Sequence, residues 1–208
     1  MSKHILLDRD GVINRRILNG YVTSWEQFEF LPQALDALRL LTESGYRVIV
    51  VSNQACVSKG LMSSETLADI TARFVEEVET NGGHIDGVYY CPHQHHDGCE
   101  CRKPKPGLLL QAQREHQFVF ADTYLVGDSE RDLTAAHRAG CRAILVGAGK
   151  ANVGAEEWPS VAEAILPDLY AAVQLVLRSE GRNQRYPLER TRSAAFCLFQ
   201  RLSARPTP

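Results

Sequence analysis

Short apolar runs alternate with amphipathic stretches through the first three-quarters of this 208-residue chain. Ile5-Leu6-Leu7 is a continuous apolar run that reads as a buried strand. Residues 32–44 put Leu35, Leu38 and Leu41 on one helical stripe, with Pro32 suited to a first turn and Gly45 to a stop. Arg47 to Val51 is the second predicted strand. From Ser64 to Thr80, Leu67, Ile70, Phe74 and Val78 recur at helical spacing ahead of Gly82-Gly83. Further strands are predicted at Gly87 to Tyr90, Tyr124 to Val126, Arg142 to Val146 and Ala164 to Leu166. Further helices are predicted from Pro106, from Glu130 to Ala139 with Gly140 as stop, and from Asp168 to Leu177, where Pro167 suits a first turn. Strand and helix in alternation point to crossover units, hence an α/β domain on a mainly parallel sheet with helices on both faces.

The chain has no internal repeats, and its length allows one well-buried core with a small appendage, so one domain is expected over 1–178. From Arg178 onward there are seven arginines against two glutamates, with turn-prone Gly181, Asn183 and Pro187. Residues 179–208 therefore read as an arginine-rich tail, disordered or loosely docked. A formal charge of −2 argues against general nucleic-acid affinity, which needs a basic surface. No apolar stretch approaches the roughly 20 residues that cross a bilayer, and Met1-Ser2-Lys3-His4 leads into a strand without a signal-peptide core. A cytoplasmic monomer acting on a small anionic molecule is expected, with no membrane or nucleic-acid partner.

Four polar sets fall at or just beyond predicted strand ends: Asp8 with Asp10, Ser52-Asn53-Gln54, Arg102 with Lys103, and Asp128. Ligands of open α/β sheets bind in the crevice beyond those ends, so one shared pocket is expected. Taken singly, each set has a plainer reading: Asp-Gly turns, a capping turn, solvated surface, a helix N-cap. Together they suit phosphoryl transfer. Attack by a carboxylate on a phosphate dianion costs roughly 4 kcal/mol per charge pair at 4 Å and an effective dielectric of 20, so counter-charge is obligatory. Asp8 and Asp128 suit Mg²⁺, and Lys103 with a hydroxyl or N–H near Ser52 suits the remaining phosphate oxygens. Asp8, nearest the strand end, is expected to be the nucleophile, and Asp10 the general acid and then base. Asp132 is either a partner near the metal or a favourable charge at a helix start.

Cys91-Pro92-His93 and Cys99-Glu100-Cys101 bracket five residues and offer three thiolates with one imidazole. Four such ligands leave no open position, which predicts a structural Zn²⁺ pinning the loop that leads into Arg102-Lys103. His95 or His96 in place of His93 stays open. Cys56, Cys141 and Cys197 are expected to pack as small apolar residues.

Asp8-Arg9-Asp10-Gly11-Val12, Ser52-Asn53-Gln54, Arg102-Lys103-Pro104 and Gly127-Asp128-Ser129, in that order, resemble the four motifs of the haloacid dehalogenase-like phosphatases. The resemblance covers most of residues 4 to 150. It implies a Rossmann-like sheet, no large cap domain, Mg²⁺ on Asp8, the main-chain carbonyl of Asp10 and Asp128, and phosphate on Ser52 and Lys103. The cysteine loop with Cys101-Arg102-Lys103-Pro104 is similar to the branch that holds the D-glycero-D-manno-heptose 1,7-bisphosphate 7-phosphatases and the histidinol-phosphate phosphatases. Gly20-Tyr21-Val22, Phe28-Glu29-Phe30, Lys59-Gly60 and the segment Asp86 to His93 are similar to the heptose members. The resemblance thus implies removal of the C7 phosphate through an aspartyl phosphate, with Gly20, Tyr21, Ser52, Asn53, Gln54, Lys59, Arg102 and Lys103 binding substrate and Arg102 meeting the C1 phosphate. Two alternatives stay open: histidinol phosphate as substrate, favoured by the short cysteine-loop spacing, and a non-catalytic, zinc-stabilised binder of phosphorylated ligands.

Overall fold

Leu6 pairs with Ile49 on one side and Leu125 on the other, and all three are buried. They mark the centre of a sheet in the computed structural model, which describes residues 3–147 and 161–183. The elements run β1 (Lys3–Leu7), α1 (Ala34–Glu43), β2 (Tyr46–Asn53), α2 (Ser64–Thr80), β3 (Gly87–Cys91), α3 (Gly107–His116), β4 (Tyr124–Gly127), α4 (Glu130–Ala139), β5 (Arg142–Val146), β6 (Ala164–Leu166) and α5 (Leu169–Asn183). Six strands lie in the order β3-β2-β1-β4-β5-β6, every pair parallel. The chain winds outward in one direction from β1 and in the other from β4. Their carboxyl ends therefore form the switch point where an open α/β sheet leaves a crevice.

Ile5 to Leu7 and Val48 to Val51 are apolar without alternation because both faces of the central strands are covered. Leu6, Ile49, Val51 and Leu125 join Leu108, Leu109 and Leu133 of α3 and α4 in one cluster. Ile5, Leu7, Val48 and Val50, one residue out of phase, face the other side. The strand and helix alternation expected from the sequence is the architecture observed. Among the described residues no helix is long and apolar enough to cross a membrane.

Several boundaries differ from expectation. Helix α1 starts at Ala34 rather than Pro32, because Gln33 sits in the left-handed region at φ 59. Its buried stripe is Ala34, Ala37, Leu38 and Leu41, with Leu35 only half-buried. Strands β2 and β3 run on to Asn53 and Cys91, which lie opposite each other in register. Helix α5 continues to Asn183, so the domain end expected at 178 falls inside it; Gly181 costs only about 1 kcal/mol relative to Ala, too little to stop a helix. The chain divides into two units, Met1–Leu175 and Val176–Pro208. The expected tail lies, from 184 on, outside the described residues, as does Cys197.

Candidate active site

The crevice at the switch point is a cavity of about 560 Å³, with Asp8, Asp10, Ser52, Lys103 and Asp128 in its wall. Asp8 is the first residue past β1 and Asp128 the first past β4. Two glycines let these turns come together. Gly11 has φ +93, and a Cβ there would run into the Asp128 carboxylate; a Cβ on Gly127 would run into Asp132.

Lys103 is buried, and its Nζ donates to the Val51 carbonyl at 2.7 Å while lying 3.0 Å from Asp8 Oδ1 and 2.5 Å from Asp132 Oδ1. Three acceptors match the three protons of an ammonium. Burial alone would lower its pKa, but Asp132 and then Asp8 outweigh that and raise it. Burial pushes Asp8 the other way, up to about 7; Lys103 opposes the rise, and Asp132, Asp128 and Asp10 add to it. Burial also raises Asp128, helped by Asp132 and opposed by Arg16. Carboxylate oxygens of Asp8, Asp128 and Asp132 lie within 4.8 Å of one another. Crowded, desolvated carboxylates with one ammonium among them are short of positive charge, and an all-oxygen donor set fits a hard divalent cation. Of the three, Asp132 is already engaged: Oδ1 faces Lys103, and Oδ2 accepts from Ser129 N and Ser129 Oγ as a capping box at the start of α4. Asp8 and Asp128 are the freer donors.

Asp10 also borders the cavity, but its carboxylate is held from behind. Arg9 Nη2 donates to both oxygens at 3.0 Å, Asn14 Nδ2 to Oδ1 at 2.9 Å and Gln54 Nε2 to Oδ2 at 2.7 Å. Arg9 is 0% exposed and lies between the rings of Phe28 and Tyr90, at 5.8 and 5.7 Å from their centroids. Sequence reasoning passed over Arg9 and Asn14. The signal was there: between two carboxylates that face a crevice, an extended chain turns the intervening side chain inward, and an inward arginine needs an acid.

The Ser52-Asn53-Gln54 set divides by role. Ser52 is buried against the cavity. Asn53 grips the backbone of Lys103 at both ends: its Nδ2 donates to Lys103 O at 3.0 Å and its Oδ1 accepts from Lys103 N at 3.0 Å. Gln54 is buried, with its amide on Asp10 and on Ser52 Oγ, rather than in the cavity wall where substrate contact was expected. Gly20, Tyr21, Lys59 and Arg102 do line the cavity. Lys59 Nζ sits 5.2 Å from the Tyr21 ring centroid, and Arg102 Nη1 donates to His93 O at 3.0 Å.

Cys91, His93, Cys99 and Cys101 converge. Cys91 Sγ lies 3.7 Å from Cys99 Sγ and 3.3 Å from Cys101 Sγ, and His93 Nδ1 lies 3.6 Å from Cys91 Sγ and 3.3 Å from Cys101 Sγ. Zinc about 2.3 Å from each sulfur in a tetrahedron sets the sulfurs about 3.8 Å apart, so this cluster could hold the ion after a slight expansion. His96 instead faces Asp97 at 3.4 Å, and His95 is exposed. Cys56 is buried and Cys141 half-buried.

A parallel sheet whose switch point gathers Asp8, Asp10, Ser52, Lys103 and Asp128 is the arrangement of the haloacid dehalogenase-like phosphatases. The family model for HAD-hydrolase-like proteins matches residues 100–172. The D-glycero-beta-D-manno-heptose-1,7-bisphosphate 7-phosphatase of Pseudomonas putida is 36% identical over 169 residues, 81% of this chain and 96% of that protein. Its counterpart in Yersinia pestis is 40% identical over 140 residues, 64% of this chain and 73% of that protein. The crystal structure of D,D-heptose 1,7-bisphosphate phosphatase from B. bronchiseptica, complexed with magnesium and phosphate, superposes with a TM-score of 0.77 at 33% identity, covering 85% of this chain and 99% of that one. The chain belongs to the heptose-bisphosphate 7-phosphatase family of the HAD-like hydrolases.

Proposed function

We propose that this chain is a magnesium-dependent phosphatase that removes the C7 phosphate of D-glycero-D-manno-heptose 1,7-bisphosphate through a phosphoaspartate on Asp8. The observation that carries the reading is the sharing of one cavity by Asp8, Lys103 and Asp128, with the lysine ammonium 3.0 Å from the proposed nucleophile. Relatives that bear that enzyme's name, and a neighbour crystallised with magnesium and phosphate, support it.

Asp8 attacks phosphorus, a P–O bond forms to its carboxylate, and the bond from phosphorus to the C7 oxygen breaks. Asp10 delivers a proton to that oxygen, then takes one from the water that hydrolyses the acyl phosphate. Asp8, the main-chain carbonyl of Asp10 and Asp128 would hold magnesium, which when bound would supply positive charge against the nucleophile and the phosphate oxygens. Lys103 and Ser52 hold the transferred phosphate. Arg102 and Lys59 take the C1 phosphate, Gly20 and Tyr21 border the sugar, and Asn53 and Gln54 act through Lys103 and Asp10. Cys91, His93, Cys99 and Cys101 hold a structural zinc. All these residues fall within 1–178, and we place the enzyme in the cytoplasm as a monomer.

The test compares kcat/KM on heptose 1,7-bisphosphate and on histidinol phosphate in the presence of Mg²⁺. A marked preference for the bisphosphate is expected, with turnover lost in Asp8→Asn at unchanged folding. Preference for histidinol phosphate overturns the substrate, and inactivity on both and on a broad phosphate-ester panel overturns catalysis.

A further inference from the structure

The loop between β1 and α1 carries two adjacent arginines with different surroundings. Arg15 is committed to Glu29, its Nε 2.7 Å from Oε2. Arg16 turns to the cavity instead, lines it, and sets Nη1 3.2 Å from Asp128 Oδ2. Its side chain is 55% exposed, against 14% for Asp128. Among the other cations in the wall, Lys103 is held by three acceptors, Arg102 by the His93 carbonyl and Lys59 by the Tyr21 ring, while Arg131 is exposed in the first turn of α4. Arg16 is thus the half-exposed cation that rests on a carboxylate the proposed function assigns to magnesium.

A guanidinium and a divalent cation on one carboxylate repel each other, so each weakens the other's hold on Asp128. A cation on Asp128 therefore turns the Arg16 fork away. Its five donors suit a phosphate far better than they suit one carboxylate oxygen, and the loop that bears it forms part of the cavity wall. A sugar bisphosphate brings two dianions to this cavity. The transferred one already faces Lys103, and an Arg16 released from Asp128 adds a guanidinium fork to Arg102 and Lys59 for the retained one.

We propose that Arg16 is a specificity-determining residue, displaced from Asp128 by the divalent cation and recruited to the phosphate retained on the sugar. This rests on the proposed function for the identity of the ligand but not for the competition at Asp128. Two measurements on the full chain test it. In calorimetric titration with Mg²⁺ alone, Arg16→Ala should bind the ion about two- to fivefold more tightly than wild type, the range of an exposed ion pair removed from competition. In kinetics, Arg16→Ala should lower the preference for heptose 1,7-bisphosphate over the 7-monophosphate by about tenfold or more, chiefly through KM. Arg16→Lys should keep most of the competition with Mg²⁺ but recover only part of the preference, since an ammonium lacks the fork. Unchanged or weaker Mg²⁺ binding in Arg16→Ala overturns the displacement. Equal losses on both substrates, or none, overturn the recruitment, equal losses pointing to the transferred phosphoryl group. Should wild type hydrolyse neither substrate, the proposed function and the recruitment fall together, and the Mg²⁺ titration still decides the displacement.

Discussion

Replacing Arg9 by Met tests how Asp10 is held. The methionine keeps an unbranched stem between Phe28 and Tyr90 but removes the guanidinium, and with it the contacts from Nη2 to both Asp10 oxygens at 3.0 Å. Removing one partner of a buried ion pair costs about 3–5 kcal/mol, because the other charge is stranded. Asp10 is not wholly stranded: its side chain is 23% exposed and keeps its bonds to Asn14 and Gln54. The loss should therefore be smaller, about 2–3 kcal/mol, or about 4–12 °C in Tm for a domain of this size. Asp10→Asn strands the fully buried guanidinium and should cost about 3–4 kcal/mol. The double variant strands neither charge, and the mismatch of the new amide with Asn14 and Gln54 is common to both proteins that carry Asp10→Asn, so it should be more stable than the sum of the singles predicts by at least about 1 kcal/mol. Urea unfolding of the four proteins gives the cycle directly. Additive single effects, or a loss below about 1 kcal/mol in Arg9→Met, would show that Arg9 does not anchor Asp10.

Asn53→Ala removes two hydrogen bonds to the backbone of Lys103, about 1 kcal/mol each, and should lower kcat ten- to a hundredfold, by about as much as misplacing a phosphate ligand; kinetics that match wild type would contradict it. Stripping zinc with a strong chelator should lower Tm and expose residues 91–103 to protease, whereas unchanged melting after verified zinc loss would remove the structural role of Cys91, His93, Cys99 and Cys101. Burial raises Asp8 from 3.8 to about 7, so the folded protein keeps a proton that the unfolded chain has already released. That contribution to stability is fully present below about pH 4 and is lost as pH rises through 7. In chelator, Asp8→Asn should flatten the fall of Tm between pH 5 and 8, and Mg²⁺ should flatten it in wild type; parallel pH curves for the two proteins would count against the assignment.

Where a residue's role depends on near neighbours, the sequence is a good guide. Ser64 to Thr80 and Glu130 to Ala139 are helices with the limits read from their spacing, because an N-cap serine precedes each and an N3 side chain or C-terminal glycine closes the pattern. Asp8, Ser52, Lys103 and Asp128 meet in one cavity because Asp8 and Asp128 directly follow β1 and β4, Ser52 stands at the end of β2, and the loop after β3 brings in Lys103, all on a single parallel sheet. The reading failed where a local rule met a distant partner. Gln54 looks like a turn residue next to a substrate site, yet its amide serves Asp10, 44 residues away in sequence. Pro32 is a proper first-turn residue, but the left-handed Gln33 delays the helix. Arg16 has no motif at all; only the folding of its loop over Asp128 gives it a place.

Lys103 stands on a short span of chain fastened on two sides, by Asn53 at its own peptide groups and by Cys101 two residues earlier in the cysteine and histidine cluster. The five residues between the ligand pairs are tied down lightly, Gln94 to the Ser58 carbonyl and Asp97 back to Gln94, while His95 and His96 face outward. Lengthening or rewriting that stretch therefore leaves the ammonium where it is. A lineage can redraw that stretch without retuning the machinery that breaks the ester.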